Sequence, residues 1–182
     1  MMTHTSCDIA DLVRFYGGDI LSSGGMETEK LFFQHGDVTV FAHSFAVACL
    51  CLYLVRLLGL RVDRRALVRG ALLHDYFLYD WHVPDPSHRL HGFSHPRRAL
   101  ENAERDFPLG PIERDAIVRH MFPLTLAPPK YREGALICAA DKLCALCETV
   151  SALGLLARLT YARPRRSTMG KKPPSLTSGA AV

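Results

Sequence analysis

The sequence lacks an uninterrupted apolar run of the roughly 20 residues that a membrane-spanning helix requires. Its most apolar stretch, residues 41–60, approaches that length but contains His43 and Arg56, so a buried core helix is the better interpretation. No basic segment followed by an apolar one stands near the N-terminus, which argues against a signal peptide. We therefore expect a cytoplasmic protein with no membrane-spanning helix.

The sequence also lacks the paired CxxC motifs that supply four cysteine ligands to a structural zinc ion. Cys144 and Cys147 form one CxxC, but no second CxxC exists among the six cysteines. Within a helix, two cysteines at this spacing are simply neighbours on one face. The neighbours of the cysteines are mainly Leu, Ala, Val and Ile, which indicates reduced, buried thiols.

Basic charge is scarce outside the last 22 residues. The formal net charge is +4, but residues 161–182 hold five basic side chains and no acidic one, whereas residues 1–160 hold 17 basic and 18 acidic side chains. The body of the protein therefore shows no basic bias of the kind that indicates nucleic-acid binding. We expect residues 1–160 to form one domain and residues 161–182, rich in Pro, Ser and Gly, to form a disordered basic tail.

Helical periodicity and capping residues predict an all-α fold, a compact bundle of about seven helices. Gly17 and Gly18 are expected to end the first helix. Asp37 or Thr39 is expected to cap the third helix and Gly59 to end it, whereas Asp63 should cap the fourth and Ser94 the fifth. A proline-containing loop is expected at residues 80–94. The predicted helices cover approximately residues 8–16, 25–34, 39–59, 63–79, 94–106, 111–121 and 133–156.

Five of these helices carry a histidine, an aspartate or the pair at the border of an apolar face. Burying such groups without partners costs a few kcal/mol each. One shared cation site would compensate all of them, and imidazole with carboxylate suits Mn, Fe, Co, Ni or Zn. Six ligands exceed the need of one tetrahedral ion and suit two bridged ions. The residues are His43, His74, Asp75, His95, His120 and Asp141.

The ordered pattern H…HD…H…H…D resembles the HD superfamily of metal-dependent phosphohydrolases. The segments FAHSFAVA, GALLHDYF and AADKL are similar to the helices that carry the ligands of that family, and the resemblance spans roughly residues 35–150. It implies an HD-domain helical bundle in which Asp75 bridges two metal ions. The first ion would be held by His43, His74, Asp75 and Asp141, and the second would be completed by His95 and His120.

The same resemblance implies hydrolysis of a phosphomonoester or phosphodiester by a metal-bridged hydroxide, with Asp75 as the catalytic residue. Two divalent ions, chosen from Fe, Mn, Co, Ni and Zn, would be the cofactor. The substrate would be a small phosphorylated molecule, with nucleotides among the candidates. The side chains expected to contact it are His35, Arg97, Arg98 and Lys142. His91, four residues before His95, is the alternative to His95 as a ligand.

Two other functions stay open at this stage. Dinuclear iron oxygenases resembling myo-inositol oxygenase share the ligand pattern and activate dioxygen. The third hypothesis is a metal-stabilised helical module without catalytic activity that serves a partner through the basic tail. An activity that requires Fe(II) and air would favour the oxygenase, whereas a metal-binding protein without any turnover would favour the module.

Overall fold

A computed structural model describes residues 8–86 and 90–150. The predicted tail and the predicted domain boundary at residue 160 lie outside these residues. The described chain forms seven helices and one two-stranded hairpin, so the all-α prediction is confirmed. The elements are α1 (Ile9–Leu21), α2 (Gly24–Glu29), β1 (Phe33–His35), β2 (Val38–Thr39), α3 (Val40–Leu58), α4 (Arg64–Leu73), α5 (His91–Asp106), α6 (Pro111–Arg119) and α7 (Arg132–Thr149).

The ends of α3 are set by two local signals that the sequence shows. The Thr39 hydroxyl accepts a hydrogen bond from the backbone N–H of Ala42, and Gly59 ends the helix in the left-handed conformation at φ 61°. Among the described helices, α3 alone is long and apolar enough to cross a membrane. Half of its most apolar stretch is buried within the bundle, and core helices commonly meet the same criterion.

Helix α4 is the centre of the bundle and packs against α1, α3, α6 and α7. Leu67, Val68 and Leu72 are fully buried, and burial of side chains of this size contributes about 1.5–3 kcal/mol each. Asp63 caps the helix as predicted, because its carboxylate accepts from the N–H of Ala66 at 2.9 Å. The most buried helix therefore ends directly at the His74–Asp75 pair.

The predicted end of α4 near residue 79 is wrong, because the helix ends at Leu73. The Nδ1–H of His74 donates to the carbonyl of Ala71 at 2.7 Å. A continuing helix would give that carbonyl to the N–H of Asp75. His74 thus replaces a backbone bond, and Asp75 lies in a turn that directs it into the bundle.

Three further boundaries also differ from the prediction. Helix α1 continues past Gly17, which kinks at φ −121° instead of ending the helix. A Cβ at Gly17 would overlap Leu72, so this glycine permits close packing of α1 on α4. Residues 33–39 form an antiparallel hairpin turning at Gly36, not the end of the second helix. Helix α5 begins at His91, three residues before Ser94, and the loop before it is correspondingly shorter.

A buried arginine connects α1 to α4. The guanidinium of Arg69 is fully buried, and its Nη1 lies 2.7 Å from both carboxylate oxygens of Asp19. Burial alone would raise the pKa of Asp19, but the hydrogen bond and charge of Arg69 lower it below its usual value. This ion pair lies apart from the histidines and has a structural role.

Candidate metal centre

The six predicted ligands converge from five helices at the middle of the bundle. His43 lies in α3, His95 in α5 and Asp141 in α7, whereas His74, Asp75 and His120 lie just after the ends of α4 and α6. All six are buried. Their ligand atoms form two groups, each within 4.8 Å, and the groups are His43, His74 and Asp141, and Asp75, His95 and His120.

The carboxylate of Asp75 lies between the two groups and presents one oxygen to each. Its Oδ2 lies 3.4 Å from His74 Nε2 and 3.9 Å from His43 Nε2. Its Oδ1 lies 3.2 Å from His95 Nε2 and 3.5 Å from His120 Nε2. Asp75 thus has one oxygen available to a cation held by each group.

Three histidines are oriented by the same kind of hydrogen bond, in which the ring Nδ1–H donates to a backbone carbonyl one helical turn earlier. The Nδ1–H of His74 donates to Ala71, that of His120 donates to Ile117 at 2.8 Å, and that of His95 donates to His91 at 2.8 Å. With Nδ1 protonated, the neutral ring keeps its lone pair on Nε2. In each case Nε2 points into the centre as a ligand requires.

His43 is oriented by a carboxylate instead of a carbonyl. Both oxygens of Glu148 lie within 3.0 Å of His43 Nδ1, and His43 Nε2 lies 3.2 Å from Asp141 Oδ1. Burial lowers the pKa of His43, but the hydrogen bonds and charges of Asp141 and Glu148 outweigh burial and raise it well above its usual value. Glu148, two turns after Asp141 on α7, thus orients the ring of His43.

Several atoms of the centre have a hydrogen-bonding capacity that a metal ion would satisfy. His95 Nε2 and His120 Nε2 lie 2.9 Å apart, although both rings already use Nδ1 as the donor. Two lone pairs then face each other, and a bound cation, a proton or a metal ion, would remove their repulsion. His74 Nε2 and Asp75 Oδ1 are buried with no hydrogen-bond partner among the described residues. The donor set therefore fits divalent metal ions.

The electrostatics of the centre keep Asp75 ionised and His120 neutral, whereas, despite burial, the carboxylates beside His43 and His74 raise the pKa of both imidazoles above the usual value. Burial, together with the charges of nearby histidines, lowers the pKa of His120 to about 3. Burial would raise the pKa of Asp75, but His74, His95 and His120 outweigh it and hold the pKa far below its usual value. His120 and Asp75 therefore need no deprotonation before they bind a metal ion, whereas His43 and His74 would release any second proton on binding.

A family model described as HD domain matches residues 40–146. The chain belongs to the HD domain family. Members of this family are generally metal-dependent hydrolases, and the matched segment contains all six residues of the two groups. No match was found among curated proteins or among solved structures.

The four predicted substrate-binding residues lie in different surroundings. Arg97 is 84% exposed and pairs with Glu101 on the surface of α5, whereas the charge of Arg98 acts on the Tyr79 hydroxyl. Lys142 donates to the carbonyl of His120 at 2.8 Å. His35 ends β1, and the prediction for its side chain lies outside the described residues. The substrate contacts of all four residues remain predictions.

His91, the alternative ligand, stands behind His95. The two rings stack with centroids 4.5 Å apart, and His91 Nδ1 lies 2.9 Å from the Tyr79 hydroxyl. The ring of Trp81 stacks on the other face of His91 at 5.2 Å. The geometry of the two groups favours His95 as the ligand and His91 as its support.

Three buried residues around the centre were not predicted from the sequence. They are Glu29, Gln34 and Glu148, and all lie outside the segment that the family model matches. Gln34 Nε2 donates to Asp75 Oδ2 at 2.6 Å. The seven-residue spacing of Glu148 from Asp141, which places both on one helix face, is a signal that could have identified Glu148.

Proposed function

We propose that this HD domain hydrolyses phosphate esters with two divalent transition-metal ions. The observation that supports the proposal best is the position of Asp75, whose two oxygens face two separate groups of ligands. His43, His74 and Asp141 would hold one ion with Asp75, and His95 and His120 would hold the other. The family membership supports a metal-dependent hydrolase, and the substrate class is our inference.

Bound divalent ions would supply a water of lowered pKa and would neutralise charge that develops on the phosphoryl oxygens. The side chains keep this centre ready without rearrangement. Ala71, His91 and Ile117 fix three imidazoles through their carbonyls, and Glu148 fixes the fourth. Because the ligands are buried, competing water is largely excluded and electrostatic interactions are strengthened.

Arg98 is our candidate for contact with the phosphate. It is exposed, its charge reaches the Tyr79 hydroxyl, and that hydroxyl adjoins His91 behind the ligand His95. Arg97 is the matched neighbour, since it is equally basic but pairs with Glu101 at the surface. We expect Arg98→Ala to raise KM with unchanged metal content, and Arg97→Ala to have a smaller effect.

The substrate that we propose is a small phosphorylated molecule, with nucleotides among the candidates. We also propose a cytoplasmic location, because the buried thiols suit a reducing compartment. Burial raises the pKa of Cys49 to about 11 and that of Cys144 to about 12, which keeps these thiols protonated and unreactive.

A panel of phosphomonoesters and phosphodiesters, assayed separately with Mn²⁺, Co²⁺, Ni²⁺ and Fe²⁺, tests the proposal. Release of phosphate or of the alcohol without consumption of dioxygen is the expected result. Turnover that occurs only with Fe²⁺ in air, with dioxygen consumed, would instead establish the oxygenase. A fully metal-loaded protein that turns over none of the panel would favour the non-catalytic module.

A further inference from the structure

Glu29, the last residue of α2, is buried without a compensating partner among the residues that the structure describes. The residue is 1% exposed, and neither carboxylate oxygen makes a hydrogen bond within residues 8–86 and 90–150. The nearest basic residue in sequence, Lys30, pairs with Glu27, and the buried Arg69 pairs with Asp19. A buried carboxylate in this state is costly, and a fold retains such a group when another component of the protein compensates it.

The charges that reach Glu29 belong to the metal centre. Burial, and then the negative charge of Asp75, raise the pKa of Glu29 well above its usual value, while His43 acts in the opposite direction. The bridging carboxylate and a ligand of the first group are therefore within electrostatic reach of Glu29. Glu29 itself is not a member of either three-residue group.

Gln34, five residues later, has a second incomplete contact at the same place. Its Nε2 donates to Asp75 Oδ2 at 2.6 Å. Because Asp75 is ionised, it can only accept, and this fixes which end of the amide faces it. The carbonyl Oε1 of Gln34 is consequently turned away from Asp75, and it is buried with no hydrogen-bond partner in the described part of the chain.

We propose that the segment before the matched domain completes the metal centre: Gln34 positions the bridging carboxylate, and Glu29 supplies a buried negative charge that the ions compensate. Two divalent ions would bring four positive charges, and the ligand carboxylates of Asp75 and Asp141 balance half of them. Glu148 and Glu29 are the two remaining buried carboxylates at the centre. The inference rests on the proposed metal centre.

Glu29→Gln separates this role from a structural one, because a role in balancing the ions shows only when metal is present. The substitution keeps the shape of the side chain and prevents it from carrying a charge. Without metal, the raised pKa of Glu29 keeps its carboxyl neutral, so the amide should leave the Tm within about 2 °C of the wild type. With metal, loss of the balancing charge should weaken Co²⁺ binding by about tenfold or more. Calorimetric titration with Co²⁺ and thermal unfolding of the same metal-free preparations measure both.

Glu27→Gln is the control, because Glu27 lies on the same helix but its side chain is 64% exposed. It should leave Co²⁺ affinity unchanged. Gln34→Leu should weaken Co²⁺ binding by about tenfold, because the bridging carboxylate loses its positioning donor. Glu29→Gln and Gln34→Leu proteins that bind Co²⁺ as tightly as the wild type would overturn the proposal, and so would a metal-free Glu29→Gln protein with a Tm lower by more than about 2 °C.

These outcomes are distinguishable from failure of the proposed function. If the wild type binds Co²⁺ but hydrolyses no phosphate ester, the proposed function fails while the titration still decides the role of Glu29. If the wild type binds no metal ion, the metal centre and this inference fail together.

Discussion

Replacement of Glu148 tests how the centre orients its first ligand. Glu148→Gln keeps an acceptor for the Nδ1–H of His43 but converts a charge-assisted hydrogen bond into a neutral one. The difference between the two kinds of bond is about 1 kcal/mol, or roughly fivefold in an equilibrium constant. Glu148→Ala removes the acceptor, and loss of such a partner commonly reduces metal affinity by about 10–100-fold.

The two variants should also differ in stability without metal. His43 is fully buried, so Glu148→Ala leaves a donor unsatisfied at a cost of about 1–3 kcal/mol. Glu148→Gln should lose less stability than Glu148→Ala. Co²⁺ titration and thermal unfolding of the same preparations measure both effects, with Glu101→Gln as the exposed carboxylate control on α5. Wild-type affinity in both Glu148 variants would refute the reasoning.

Three other perturbations follow from the geometry. His120→Ala should lower the metal content from about two ions per chain towards one and should strongly reduce turnover. A simple helix-end cation would instead contribute only roughly 1 kcal/mol to the free energy of unfolding. Unchanged stoichiometry would remove the second site. Gly25→Ala should destabilise the fold by about 1–3 kcal/mol, because a Cβ there overlaps the ring of Tyr76, whereas Gly24→Ala meets open space and should be close to neutral in thermal unfolding. Asp19→Asn should cost about 2 kcal/mol, because the buried guanidinium of Arg69 keeps only the more distant carboxylate of Glu113, at 3.9 Å. The stability that the Asp19 pair contributes in the wild type should be lost as the pH falls through the lowered pKa of Asp19; a wild-type denaturation midpoint in the variant would contradict this.

The features that could be predicted from the sequence are those set by neighbouring residues. Thr39, Gly59 and Asp63 mark helix ends correctly, because a cap or a left-handed glycine acts within one turn. The histidines and aspartates were conspicuous because they stand in apolar surroundings, and the structure brings all six together.

The features that could not be predicted depend on contacts between distant segments. Gly17 was interpreted as a helix stop, but its role is the close approach of α1 to Leu72, which no local pattern reports. Glu29 and Gln34 resemble ordinary surface residues in the sequence. Only the packing of the folded chain shows that both are buried and that Gln34 donates to Asp75.

The metal content of the purified protein tests the central claim most directly, measured by elemental analysis for the wild type and Asp75→Ala. We expect close to two divalent transition-metal ions per wild-type chain, because Asp75 presents one oxygen to each group of ligands. We expect the Asp75→Ala protein to lose both ions and its turnover of phosphate esters. An Asp75→Ala protein that keeps its full metal content and turnover would contradict the account.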